Sequence, residues 1–105
     1  MRSRPEPRYR IRVPCRVQIG ESSHSGVVLN LSRMGLFVQT SAGLAAGDPV
    51  ELTLRGESPV CAQVVWYRRV PPVLRAIAKG GAGLRIVGAS EEYYWLLAKA
   101  AGVRL

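Results

Sequence analysis

Two clusters of residues in the first third of the chain have types and spacing that suit an anionic ligand. The first consists of Arg4 and Arg8, which lie four residues apart in a proline-containing N-terminal stretch. An arginine side chain presents a planar fork of donors that pairs with phosphate, or with the O6 and N7 atoms of guanine. Charge alone favours a solvated basic tail for this stretch, because short basic runs are common.

The second cluster is Asn30, Ser32 and Gly35, which separate two predicted strands. Asn and Ser offer short, rigid hydrogen-bonding groups. Gly35 permits a positive φ and close approach of another backbone or a ligand. Taken by itself, the cluster is typical of a tight turn stabilised by its own side chains.

The elements that must position these clusters are predicted from periodicity. Alternation of apolar and polar residues is typical of half-buried strands. It predicts strands over residues 11–19, 25–31, 36–40, 50–55, 60–67 and 84–87. In the second strand we expect Val27 and Leu29 on the inner face. In the fifth strand the alternation from Val60 places Trp66 in the core.

Outside the strands, the sequence leaves two alternatives for one segment and predicts a helix for another. Residues 70–81 form either a short helix beginning at Pro72 and ending at Gly80, or an irregular loop. Ser90 caps a final helix that ends near Gly102. The apolar stripe of that helix has helical spacing. Its members are Tyr93, Leu96, Leu97 and Ala100. Six short strands and one amphipathic helix favour a small barrel or sandwich.

Composition narrows the classes of function. The chain has 105 residues and a formal net charge of +8, which suits one domain with an anionic partner. One histidine and two widely separated cysteines exclude the usual zinc sites. We expect Cys15 and Cys61 to be reduced, buried thiols. No apolar run is long enough to cross a bilayer and no secretory signal is present, so we expect a cytoplasmic protein. No arrangement of acid, base and nucleophile indicates an enzyme.

The two clusters in this order and spacing resemble the PilZ domain family. The resemblance rests on Arg4-x-x-x-Arg8 followed by Asn30-x-Ser32-x-x-Gly35. Residues 8–15, 62–66 and 81–86 are similar to the family's first strand, fifth strand and late glycine-rich strand, so the resemblance covers nearly the whole chain.

PilZ domains are bacterial receptors for the second messenger cyclic di-GMP. The resemblance implies a mainly β fold, a six-stranded antiparallel β-barrel with a C-terminal α-helix. It divides the chain into a mobile arginine-rich arm, residues 1–9, and a barrel, residues 10–105, with its helix over residues 90–101. It also implies that cyclic di-GMP is the ligand, with no cofactor and no metal.

The implied site joins the arm to the turn. Arg4 and Arg8 would contact phosphates and guanine edges, Asn30 and Ser32 would hydrogen-bond a guanine, and Gly35 would keep the turn open. Further candidates for ligand contact are Arg12, Arg33 and Trp66, the last by stacking on a guanine if it lies at the rim instead of in the core. Arg8 and Arg12 have the same spacing as Arg4 and Arg8. We prefer the earlier pair, because Arg12 lies inside the alternating strand.

The function predicted from this resemblance is a non-enzymatic effector that signals through an unidentified partner protein. Ligand would order the arm against the barrel and so create or hide a surface for that partner. One alternative is a PilZ scaffold that binds no ligand and uses the aromatic residues 93–95 of its helix. A small nucleic-acid-binding barrel is less favoured, because aromatic residues are only 7% of the chain and the strand faces show no exposed stacking set.

Overall fold

The computed structural model describes residues 7–54, 59–74 and 79–102. Within them the chain forms six strands, one 3-10 turn and one α-helix. The strands are β1 (Tyr9–Ile19), β2 (Ser22–Leu31), β3 (Gly35–Thr40), β4 (Pro49–Leu54), β5 (Val60–Arg68) and β6 (Gly81–Gly88). The 3-10 turn spans Pro72–Leu74, and the helix, α1, spans Glu91–Ala100. All six predicted strands are confirmed, and β1, β2 and β6 begin two or three residues earlier than the alternation indicated.

The strands of the described residues close into an antiparallel barrel in the order β1-β2-β3-β6-β5-β4. The closure is made by β4 and β1, where Cys15 pairs with Leu54. Since β3 lies beside β6, the connection from β3 to β4 must cross one end of the barrel. Ala42 and Leu44 in this connection are buried, so it covers that end. The predicted barrel with a C-terminal helix is therefore confirmed.

The core is built from the inward-facing side chains of every strand. On β1, Val13, Cys15 and Val17 are buried while the residues between them are exposed or half-buried, as the alternation predicts. Burial of one such aliphatic side chain contributes about 1.5–3 kcal/mol. The largest fully buried side chains are Tyr93, Leu31, Leu36, Leu52, Val17, Val28, Val38 and Val60.

The inner face predicted for β2 is wrong. Val28 is fully buried, whereas Val27 and Leu29 are only half-buried. These are three consecutive apolar residues, so alternation does not choose between the two possible phases. The pairing with β3 decides which residue is buried. Val28 pairs with Val38 and Asn30 pairs with Phe37, so Leu29 is an extra residue in a β-bulge.

Several predictions fall at the margins of the described chain. Residues 1–6 of the predicted arm and residues 55–58 of the predicted turn before β5 lie outside the described residues. Strand β1 includes Tyr9, so the predicted arm of residues 1–9 overlaps the strand by one residue. Between β5 and β6 the structure has the short 3-10 turn, and residues 75–78 again lie outside the described residues.

Helix α1 begins and ends close to the predicted residues. Ser90 is its N-cap with extended backbone, but its hydroxyl makes no capping hydrogen bond. Gly102 follows the helix with a φ of 83°, a conformation that favours glycine. Tyr93 is buried and the rest of the predicted stripe is half-buried against the barrel, so the stripe is confirmed. In the described part of the chain, no helix is long and apolar enough to span a membrane.

The two cysteines lie in different environments. Cys15 is in the core, where burial raises the pKa of its thiol to about 11. Cys61 lies on the outer face of β5 and is exposed, so the expected burial is wrong for this residue. Both thiols are free.

Candidate functional site

Arg8 of the first sequence cluster meets Asn30 of the second at one end of the barrel. Arg8 immediately precedes β1, and Asn30 lies near the end of β2. Because β1 and β2 are antiparallel, with Tyr9 opposite Leu31 and Arg10 opposite Asn30, the start of one strand lies beside the end of the other. Arg8 Nη1 donates a hydrogen bond of 2.6 Å to Asn30 Oδ1, joining residues 22 apart in sequence.

A β-bulge interrupts β1 close to this contact. The register shifts between Arg10 and Val13, where β1 has one more residue than β2. This shift lies opposite Leu29, the extra residue of the bulge in β2, so both irregularities come immediately before Asn30 in β2. A bulge re-aims the neighbouring side chains and increases the local twist. The position of Asn30 on the outer surface therefore depends on two irregularities that the alternation pattern does not reveal.

The turn after β2 is held by Ser32. Its hydroxyl donates to Gly35 O at 3.2 Å and accepts from the amides of Met34 and Gly35 at 3.3 and 3.2 Å. Ser32 N also donates to Gly35 O at 2.8 Å. Ser32 is only 3% exposed. Its hydroxyl therefore shapes the turn, as the tight-turn interpretation predicts.

Gly35 is required by close packing and not by its backbone angle. It does not have the positive φ that we considered. A Cβ at this position would lie 2.5 Å from Leu84 O on β6 and 3.7 Å from Arg8 Nη2. The first distance is too short for real atoms. Glycine thus lets β3 approach β6 and leaves space beside the Arg8 guanidinium.

Helix α1 supports the turn from inside the protein. The hydroxyl of buried Tyr93 donates to Ser32 O at 2.7 Å, with Gly35 O at 3.4 Å. The helical spacing predicted that Tyr93 faces the core, but it did not reveal this polar role. A hydroxyl on an otherwise apolar stripe was the only sequence signal for it.

Trp66 lies on the outer surface, and its predicted place in the core is wrong. It is 48% exposed. Val64 pairs with Leu84 and Trp66 pairs with Gly83, so Val65 is an extra residue in β5. This bulge reverses the alternation and turns Trp66 outward. The indole lies over Gly83, where any Cβ would collide with it.

The outward Trp66 completes an aromatic stack that sequence reasoning missed. Its ring lies 5.5 Å from that of Phe37, with an angle of 25° between the planes. The Arg68 guanidinium carbon is 5.9 Å from the Phe37 centroid. The expectation that the strand faces carry no exposed set of stacking aromatic residues is therefore wrong. Successive strand pairings connect the stack to Asn30, the partner of Arg8, in one row across five strands. The row is Arg10, Asn30, Phe37, Gly83 and Trp66.

The remaining candidates are distributed around this row. Arg4 lies outside the described residues. Arg12 is exposed within the β1 bulge, and Arg33 is exposed in the turn. Arg85, which we did not single out, pairs with Gly35 across β3 and β6 and donates from Nη2 to Gln63 Oε1 at 2.7 Å. Among the described residues, no group of three or more His, Cys, Asp or Glu could hold a metal ion.

Solved structures with the same fold come from bacterial proteins. MotI/DgrA of Bacillus subtilis, an inhibitor of motility, has a TM-score of 0.72 and 18% identity. The match covers 97% of this chain but only 51% of MotI, so the chain spans about half of that protein. The PilZ domain of YcgR from Escherichia coli, solved with cyclic di-GMP, has a TM-score of 0.70 and 12% identity, covering 97% and 92%.

A third structure, the PilZ domain of CeSA from a cellulose-synthesizing bacterium, has a TM-score of 0.60 and 19% identity, covering 91% of this chain and 96% of that one. At these identities the structures show the fold. No curated protein matches the chain significantly. The family model of the PilZ domain, however, matches residues 2–93. This match spans both sequence clusters and all six strands, and the chain belongs to the PilZ domain family.

Proposed function

We propose that this domain is a cytoplasmic receptor for cyclic di-GMP that has no enzymatic activity and signals through a partner protein. The observation that carries the proposal is the hydrogen bond of 2.6 Å between Arg8 and Asn30. It joins Arg8 to the turn cluster on the outer surface. The YcgR domain, which has the same fold, was solved with this ligand.

The Arg8–Asn30 pair has the donors and acceptors that a guanine or a phosphate needs. The guanidinium has five N–H donors, and the contact with Asn30 uses only one of them. The amide of Asn30 keeps its own NH₂ group for a ligand acceptor. Gly35 places no side chain beside Arg8 Nη2. In the proposed complex Arg8 pairs with phosphate or with guanine O6 and N7, and Asn30 bonds the same base.

The aromatic stack supplies a surface for a base. Neighbouring strands are about 4.8 Å apart, so three strand spacings place Asn30 about 14 Å from Trp66 along the row. The exposed Trp66 and its neighbour Phe37 present a flat apolar face within reach of a dinucleotide. Stacking on such a face contributes about 1–3 kcal/mol per base. We therefore propose Trp66 as a second contact for the ligand.

The other predicted site residues have different roles in the proposal. Arg4 is proposed to close on the ligand together with Arg8. Arg12 and Arg33, both exposed, are secondary phosphate contacts. Ser32 acts by shaping the turn, because its hydroxyl is buried among hydrogen bonds within that turn. Gly35 keeps the turn close to β6 and open to the ligand.

Signalling to a partner requires that ligand change a second surface. The turn is bonded to α1 through Tyr93, and the next two helix residues, Tyr94 and Trp95, are 45% and 49% exposed. In the proposed mechanism the ligand orders the arm beside the turn, and the partner reads the changed surface of arm and helix. The ligand shifts this equilibrium only by its differential affinity for the two states.

Calorimetric titration with cyclic di-GMP tests the proposal. We expect binding by the wild-type protein, loss of at least about tenfold in affinity in Arg8→Ala, and no binding of cyclic di-AMP. Arg16→Ala is the matched control, since Arg16 is an exposed arginine of β1 held by Ser23 and Ser25 away from the site. Absence of wild-type binding would contradict the proposal and favour the scaffold alternative. Equal losses in both variants would show a general charge effect.

The exposed stack also favours a second candidate function, binding of single-stranded nucleic acid. Phe37 and Trp66 with the neighbouring Arg68 form the stacking platform and cation that such proteins use. This function predicts tighter binding of an oligonucleotide than of cyclic di-GMP, with affinity falling steeply as salt rises. A competition between the two ligands at two salt concentrations separates the candidates.

A further inference from the structure

A cleft of about 640 Å³ lies at the end of the barrel opposite the Arg8 site. It is lined by the middle of β2, the end of β3, Tyr67 near the end of β5 and both ends of the β5–β6 connection. Thr40 in this cleft is five residues along β3 from Gly35, which is about 17 Å at the rise of a strand. The volume is typical of small-molecule sites. The cleft therefore lies apart from the Arg8–Asn30 contact, while its residue Tyr67 adjoins Trp66 in sequence.

Two cations flank the cleft. Arg69 and Lys79 lie at the two ends of the β5–β6 connection, and no described residue lining the cleft is acidic. Arg68 Nη2 donates to Lys79 O at 3.2 Å, and Thr40 N donates to Gly80 O at 3.2 Å. The first bond attaches the backbone at Lys79 to β5, and the second attaches the neighbouring Gly80 to β3. Since Arg68 pairs with Gly81, Arg69 and Lys79 lie one and two residues beyond that pair, on neighbouring chain ends that both line the cleft.

The walls between the cations carry neutral donors and apolar surface. The Ser25 hydroxyl accepts from Arg16 Nη1 at 3.2 Å, and its own O–H remains a donor. Tyr67 adds a second hydroxyl and an aromatic ring. Val27 and Val70 add aliphatic surface. This combination of paired cations, hydroxyl donors and apolar walls suits a ligand with an anionic end and a neutral body.

We propose that the cleft binds a small organic phosphate ester, with the phosphate between Arg69 and Lys79 and the neutral body against Tyr67, Val27 and Val70. A phosphate monoester carries about −1.5 to −2 charge at neutral pH, which two cations balance. The cleft is much larger than a phosphate ion, so the body of the ester fills space that inorganic phosphate leaves to water. This site does not depend on the proposed binding of cyclic di-GMP.

Backbone amide NMR tests the proposal, with adenosine 5′-monophosphate and glucose 6-phosphate as probes. Gly26, Gly43 and Gly80 line the cleft, and Gly35 lies in the other site. We expect both probes to shift the three cleft glycines saturably while Gly35 stays in place. Inorganic phosphate should bind at least about tenfold more weakly than either ester. Cyclic di-GMP is expected to move Gly35, so failure of one site is distinguishable from failure of the other.

The variant Arg69→Gln/Lys79→Gln should weaken both esters at least about tenfold. It keeps the fold, because the bond that ties Lys79 to Arg68 uses the Lys79 backbone carbonyl. Lys99→Gln, which removes an exposed cation of α1, is the matched control and should leave the affinities unchanged. The proposal is overturned if the cleft glycines do not shift, if the double variant binds as well as the wild type, or if inorganic phosphate binds as tightly as the esters. A response to adenosine monophosphate alone also overturns it.

Discussion

Replacing Tyr93 with phenylalanine removes one buried hydroxyl and keeps the ring that packs in the core. The hydroxyl donates to Ser32 O at 2.7 Å, and Tyr93 is only 1% exposed. The edge contact of its ring with Tyr94, at 5.5 Å, does not involve the hydroxyl. The substitution therefore tests a single link between α1 and the turn at the candidate site.

The expected destabilisation follows from leaving a buried acceptor without its donor. Such a change lowers the free energy of unfolding by about 1–3 kcal/mol. With an unfolding entropy of about 2.1 cal/mol/K per residue, 105 residues give about 4–5 °C in Tm for each kcal/mol. We expect Tyr93→Phe to lower Tm by about 5–14 °C, measured by calorimetry and by denaturant titration with an unchanged m-value.

The neighbouring tyrosine provides the control. Tyr94 is 45% exposed, so Tyr94→Phe should change the free energy of unfolding by less than about 0.5 kcal/mol. A Tyr93→Phe protein as stable as the wild type would refute the claim that this hydroxyl stabilises the turn. Equal destabilisation by both substitutions would refute it as well, because burial of the hydroxyl would then be irrelevant.

Two further predictions concern packing and thiol reactivity. Gly35→Ala should destabilise the protein by about 1–3 kcal/mol in denaturant titration, because its Cβ would lie 2.5 Å from Leu84 O. Gly43→Ala, where no atom lies within 4 Å of the new methyl group, should not destabilise it, and equal losses would contradict the packing argument. A thiol reagent at pH 8 should modify Cys61 rapidly and Cys15 only on unfolding, because burial raises the Cys15 pKa to about 11. Rapid modification of both thiols in the native protein would contradict the described burial.

Local patterns predicted the elements that have one buried and one exposed face. Strand β1 alternates over nine residues, and its buried positions Val13, Cys15 and Val17 follow that pattern. The spacing of α1 likewise placed Tyr93 against the barrel. These predictions succeed because burial of a face depends on the periodicity of the element itself.

The errors on Trp66 and on the inner face of β2 share one physical cause. The alternation placed Trp66 inside, and the bulge at Val65 turned it outward. The inner face of β2 was assigned to Val27 and Leu29, and pairing with β3 made Val28 the buried residue. A bulge depends on the register between a strand and the neighbouring strand that it pairs with. One strand's pattern of side chains does not contain that information.

The sequence predicted which residues form the candidate site but not how they are arranged in space. Sequence placed Arg8, Asn30 and Ser32 in one site, and the structure brings the first two into contact. The tight-turn interpretation agrees with the use of the Ser32 hydroxyl inside the turn, but the sequence did not predict that Tyr93 supports that turn. The role of Tyr93 depends on packing between elements that are about 60 residues apart in the chain.

The most direct test of the proposed receptor is a double-mutant cycle on Arg8 and Asn30, with cyclic di-GMP affinity as the readout. If the two side chains form one binding unit, as their hydrogen bond of 2.6 Å implies, each alanine substitution weakens binding at least about tenfold. The double variant then loses less than the sum of the single losses, with a coupling of about 0.5–3 kcal/mol. Strictly additive losses, or a wild-type protein that does not bind cyclic di-GMP, would contradict the proposal.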